Sequence, residues 1–114
     1  MTTRKAKPAV PTSLEDPAVK AVRETLHLSW ELIGMDAETC SAQEREWELA
    51  LRAQPGDAEA LTAFKYWADQ RRNAQAYRAR CRGLLAGISQ LRPDGSFPLV
   101  GWQRAAKEAK RING

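Results

Sequence analysis

Thirty-four consecutive residues, Ala58 to Leu91, contain no proline and little else that stops a helix. As one α-helix at 1.5 Å per residue they would reach about 50 Å, longer than a compact domain of this size is wide. The apolar pattern shows where that conflict is resolved. Ala60, Leu61, Phe64, Trp67 and Ala68 share one face, whereas Ala74, Tyr77, Cys81, Leu84, Ile88 and Leu91 share another, rotated by about a third of a turn. The phase slips at "QRRN", which predicts that this long helix is bent, broken or handed to a new packing partner near residues 70–73.

The rest of the chain also reads as helix. Residues 1–13 carry two prolines and three bases ahead of any start signal and are expected to form a flexible basic tail. Asp16 and Pro17 are suited to the cap and first turn of a helix, and Gly34 to its end. Val19, Val22, Leu26, Trp30 and Ile33 make one stripe on it, and Ala21, Thr25, Leu28 and Leu32 a second, nearly opposite. A helix apolar on two sides is central in a core or shared with a partner, so Leu28 and Leu32 are candidates for self-association in a homodimer. Ser41 and Glu44 have the spacing of a capping box and predict a second helix that "PGD" at 55–57 ends, with Asp36 as an alternative start. "RPDGSFP" at 92–98 is a turn and loop signal, and a last helix follows with Trp102, Ala105, Ala106, Ala109 and Ile112 on one side.

No useful strand alternation occurs. The expected class is all-α, a small bundle of about four helices forming a single domain over residues 14–114. Each expected helix holds one tryptophan, Trp30, Trp47, Trp67 and Trp102, and four indoles on inward stripes predict one shared core.

Chemistry is sparse. No apolar run approaches the roughly 20 residues that span a bilayer, so no membrane association is expected. The N-terminus lacks the apolar stretch of a secretion signal, which predicts a cytoplasmic protein; the Ala and Arg usage suggests a bacterial, phage or plasmid source. Cys40, Cys81 and the single His27 have no metal-ligand spacing, so neither a metal nor a cofactor is expected. There is no phosphate-cradling glycine loop and no zinc-protease motif, and the glutamates at 44 and 48 read as a helix surface. The expectation is no enzyme activity.

Two stretches resemble known families. "LIGMDAETCSAQE", residues 32–44, is similar to the helix-turn-helix of DNA-binding repressors, with Ile33-Gly34-Met35 as the turn and Thr39, Cys40 and Ser41 in the recognition helix. It departs at Trp30, where that family needs a small residue, and at Glu38, Glu44, Glu46 and Glu48, which oppose a line of phosphates. "ALRAQPGDAEAL" resembles the junction between tetratricopeptide repeats, but the 34-residue period does not recur.

What remains is charge. The chain is +4 overall, and two neighbouring segments differ in sign: residues 36–59 hold seven acids and two bases, residues 65–82 six bases and one acid. On a straight helix Arg71, Arg78 and Arg82 line one edge, with Arg72 aside, and Arg104, Lys107 and Arg111 extend a basic patch from the last helix. Planar guanidinium forks suit carboxylates and phosphates alike. The expected role is non-catalytic binding of a macromolecule, as an adaptor, inhibitor or regulatory accessory whose arginine edge meets an acidic protein surface. Phosphate-backbone contacts to nucleic acid are the alternative, and pairing of the arginines with Glu44, Glu48 and Asp57 the competing structural explanation.

Overall fold

A computed structural model describes residues 10–114; of the tail expected at residues 1–13, residues 1–9 lie outside the described part. Three helices make up the architecture: α1 (Pro17–Ala53), α2 (Ala58–Ala86) and α3 (Leu99–Asn113), with no strand among the described residues. α1 and α2 form a long hairpin, and α3 folds back over its open end.

Short-range sequence signals set four boundaries. The Asp16 carboxylate accepts the Ala18 N–H at 2.8 Å, and Pro17 follows it in the first turn. Asp57 does the same for Glu59 and Ala60, at 3.0 and 3.2 Å, after the turn closed by Asp57 N–H on the Gln54 carbonyl. In the loop before α3, Gly95 adopts φ +83, a conformation that a side chain disfavours. Asp94 there accepts from both the N–H and the hydroxyl of Ser96.

Three expected boundaries are absent. α1 does not stop at Gly34 and does not restart at Ser41; it runs unbroken for 37 residues. Neither the four-helix count nor the helix-turn-helix reading survives, because the turn and the would-be recognition helix are one continuous rod. A mid-helix glycine costs only about 1 kcal/mol, and apolar contacts with α2 continue on both sides of it. α2 likewise runs unbroken through residues 70–73. The slip in its apolar phase follows from its surroundings: its first half packs on α1 alone, its second half on α1 and α3 together.

The core sits where the three helices meet. Leu26, Ile88 and Ala105 are fully buried, and Val22, Leu84, Leu85, Trp102 and Ile112 pack against them. α3 reaches this position through a close backbone approach, since a Cβ at Gly101 would collide with the Gly87 carbonyl. The shared tryptophan core does not form. Only Trp102 joins the main cluster, edge-on to Phe97 at 6.4 Å between centroids. Trp30, Trp47 and Trp67 are half-buried along the hairpin.

The shape explains why. The molecule measures 72 × 38 × 17 Å with a radius of gyration of 20.4 Å, against about 13 Å for a compact domain of 100 residues. Past the end of α3 the hairpin is a single layer of two helices. Leu49, Leu61 and Tyr66 are exposed on it.

Candidate functional site

The arginines that looked like one ridge have separate environments. Arg71 turns inward and donates its Nε–H to Glu44 on α1, at 2.6 Å to Oε2, while Nη1 bonds Gln75 at 3.1 Å. Both members of this ion pair are largely shielded, and the hydrogen bond to Glu44 raises the Arg71 pKa further. Arg72 pairs with Asp69 on its own helix. Arg78 lies flat over Trp30, its guanidinium carbon 3.9 Å from the ring centroid. It fits there because residue 34 is glycine: a Cβ at Gly34 would stand 2.9 Å from the guanidinium. The Arg78 Nε is buried without a hydrogen-bond partner. Only Arg82 is exposed and makes no ion pair among the described residues. The expected line of Arg71, Arg78 and Arg82 is therefore not a free cationic edge: one is neutralised, one is stacked, one is available. Of the other acids expected as their partners, Glu48 binds Arg52 and Asp57 caps α2.

The bases of α3 do assemble. Arg104, Lys107 and Arg111 line one wall of a cleft of about 720 Å³, and Arg80, Tyr77 and Leu84 of α2 line the other. At its floor is Glu108, 4% exposed. The carboxylate accepts the Tyr77 hydroxyl at 2.8 Å and the Arg111 Nε–H at 2.9 Å, with Arg80 at 3.5 Å from its other oxygen. Arg111 also donates to the Tyr77 oxygen at 2.9 Å, and Ser29 of α1 donates to it at 3.5 Å. The Arg111 hydrogen bond is the main reason that the Glu108 pKa falls below its ordinary value despite burial, with Tyr77 assisting. Burial pushes the Tyr77 hydroxyl above its ordinary value. Glu108 is thus held as a carboxylate that takes up Arg111 and Arg80, and Arg104 and Lys107 are the cleft bases that make no ion pair among the described residues.

Sequence reasoning placed Arg104, Lys107 and Arg111 together and missed Arg80 and Glu108. A signal for Glu108 was present: it lies three residues after Ala105 and four before Ile112, on the inward side of an otherwise apolar stripe. Tyr77, on an inward stripe of α2, is its counterpart. The second apolar strip of α1 is exposed. Leu28 and Leu32 flank a hollow of about 300 Å³ that Tyr77 and Ile112 close on the far side.

Other reactive side chains are dispersed. His27 pairs with Glu31 at 3.0 Å on the exposed side of α1; Cys40 is half-buried and Cys81 fully buried, both free thiols. No helix among the described residues is long and apolar enough to cross a membrane. In comparisons with known proteins, no family model, no curated protein and no solved structure matches this chain.

Proposed function

We propose that this chain is a non-catalytic binding protein, an adaptor, inhibitor or regulatory accessory, whose α2–α3 cleft receives an acidic segment of a partner protein. One observation carries the reading. Arg104 and Lys107, which make no ion pair among the described residues, line a cleft beside Arg80 and Arg111, which share the charge of the single acid, Glu108. Arginine forks at the rim suit carboxylates bidentately, and Leu84 on the wall offers an apolar contact beside them. An acidic peptide with an apolar residue between its carboxylates matches that lining.

Nucleic acid makes a weaker match. Backbone binders spread their bases along a track and interleave exposed aromatics for stacking. Here Arg71 and Arg78, which would have prolonged the track along α2, are engaged internally.

Fluorescence anisotropy distinguishes the two, using a labelled peptide rich in Asp and Glu and a DNA duplex of equal charge at low salt. The expected result is tighter binding of the peptide, weakened about tenfold by Arg104→Glu with Lys107→Glu and little changed by Arg72→Ala. Absence of peptide binding, or equal losses in both variants, contradicts the assignment. A duplex bound more tightly, with an affinity falling steeply in salt, selects the alternative.

A further inference from the structure

α1 carries a second seam, on the side away from α2. From Ala21 to Ala53 it advances by alternate steps of four and three residues, the spacing of a coiled-coil core. Leu28, Leu32, Met35 and Leu49 lie on it, 56%, 54%, 64% and 58% exposed. The positions between them are threonine or alanine, with Glu46 as the single charge. A soluble helix rarely leaves such a line to water over nine turns.

The charges that flank this seam follow a pattern of their own. The residues just before every second seam position are Glu24, Glu31, Glu38, Arg45 and Arg52: three acids, then two bases, changing sign near the middle of the helix. Such a flank is self-complementary only when turned end for end. We propose that a second copy of this chain packs antiparallel along the outer seam of α1. In that register Glu31 meets the partner's Arg45 and Glu24 the partner's Arg52, each pair occurring twice by the two-fold symmetry. Large seam residues then mostly face small ones: Leu32 against the partner's Ala42, Met35 against the partner's Thr39 and Leu49 against the partner's Thr25, while Leu28 meets the aliphatic stem of the partner's Glu46. A parallel pair in register would instead set Glu46 against the partner's Glu46 inside the seam.

The present partners of these charges do not oppose the exchange. Glu31 and Arg52 make exposed pairs within α1, with His27 and Glu48, which contribute little and are readily replaced. Glu24 and Arg45 make none among the described residues. Two like pairs fall at the symmetry axis, Glu38 and Asp36 each beside its own copy. Arg78 lines the same hollow as Glu38 and Arg45 and moderates the first of them. The hollow beside Leu28, Leu32 and Ile112 borders the seam, so the partner helix closes it as well. This interface does not involve the basic cleft and stands whether or not the cleft binds an acidic peptide.

Sedimentation equilibrium of the full chain at low salt, from micromolar to several hundred micromolar, tests it. The chain is expected to dimerise, and Leu32→Glu with Met35→Glu to remain monomeric with unchanged helicity, because both residues are exposed in the protomer. Arg45→Glu is expected to raise the dimer Kd about tenfold by turning both symmetry-related pairs into like charges. Adding Glu31→Arg to it restores affinity to within about threefold of the original, since the pairs are then swapped rather than lost. A monomer at the highest concentration, a dimer that survives the two glutamates, or a double charge variant as weak as the single one overturns the proposal.

Discussion

Arg78 is exchanged from solvent to protein at a definite cost and gain. Its guanidinium stacks on Trp30, a contact worth about 0.5–2 kcal/mol depending on desolvation, while its Nε loses a hydrogen-bond partner. Gly34 makes the site possible, so the two positions are coupled. With Arg78 in place, Gly34→Ala sets a gain in helix propensity of about 1 kcal/mol against displacement of the guanidinium. In an Arg78→Ala chain the same substitution is expected to stabilise by that full amount. Urea denaturation of the four chains of this cycle should give a coupling of about 1 kcal/mol; strictly additive effects would mean that the glycine does not serve the arginine. Glu108 gives a second residue-level prediction. Its pKa is depressed in the fold, first through Arg111, so its contribution is complete above the unfolded carboxylate value. That contribution is lost as pH falls through the lower, folded value. Stability followed by urea denaturation from pH 7 downward should therefore decline more steeply below about pH 4.5 in the original chain than in Glu108→Gln. At neutral pH that variant is expected to be less stable by about 2 kcal/mol, since Arg111 and Arg80 lose a buried counter-charge. Identical pH profiles for the two chains would contradict the assignment.

At the scale of helices, two glycines have opposite consequences. Gly101 lies against the Gly87 carbonyl, so a Cβ there meets backbone that has no side-chain freedom to yield. Gly101→Ala is expected to cost about 1–3 kcal/mol by overpacking, with α3 the element displaced. Gly83, inside α2 with open space around its Cβ position, should instead gain about 0.5–1 kcal/mol as alanine. Thermal unfolding of both variants checks the contrast. The same distinction between local and tertiary causes separates what could be read in the sequence from what could not. Asp16, Asp57, the turn at Pro55 and Gly56, and the loop around Gly95 are local devices, and each one is visible in a few adjacent residues. Gly34 and Ser41 have the right identities for a stop and a restart, but the pull of α2 on both sides of them outweighs those local preferences. The phase slip near residue 70 was legible as a pattern; the arrival of α3, a long-range event, is what gives rise to it. In the candidate site, Arg104, Lys107 and Arg111 fall together because one helix carries them. Arg80 and Glu108 are joined only by α3 docking on α2, while Arg71 and Arg78 are withdrawn by Glu44 and Trp30, 27 and 48 positions earlier in the chain. No spacing within α2 records those partners.

As a whole molecule the chain is a rod with a thickened end. Three helices build a core around Leu26, Ile88 and Ala105 at that end, and the two-helix remainder leaves apolar side chains in water. The unbroken course of α1 connects the features with functional weight. It turns Gly34 from a helix stop into a notch for Arg78, removes the free arginine ridge, and aligns Leu28, Leu32, Met35 and Leu49 on one outer line. A break at Gly34 would dissolve all three. The distance along α1 is therefore the decisive quantity. Spin labels at Lys20→Cys and Arg52→Cys, in a chain with Cys40→Ser and Cys81→Ala, are separated by 32 helical positions, or about 48 Å along a continuous rod. Double electron–electron resonance on labelled chains diluted into unlabelled ones should give a single distribution centred near that separation. A distribution centred at about half that distance or less, as a helical hairpin folded at Gly34 requires, would contradict it.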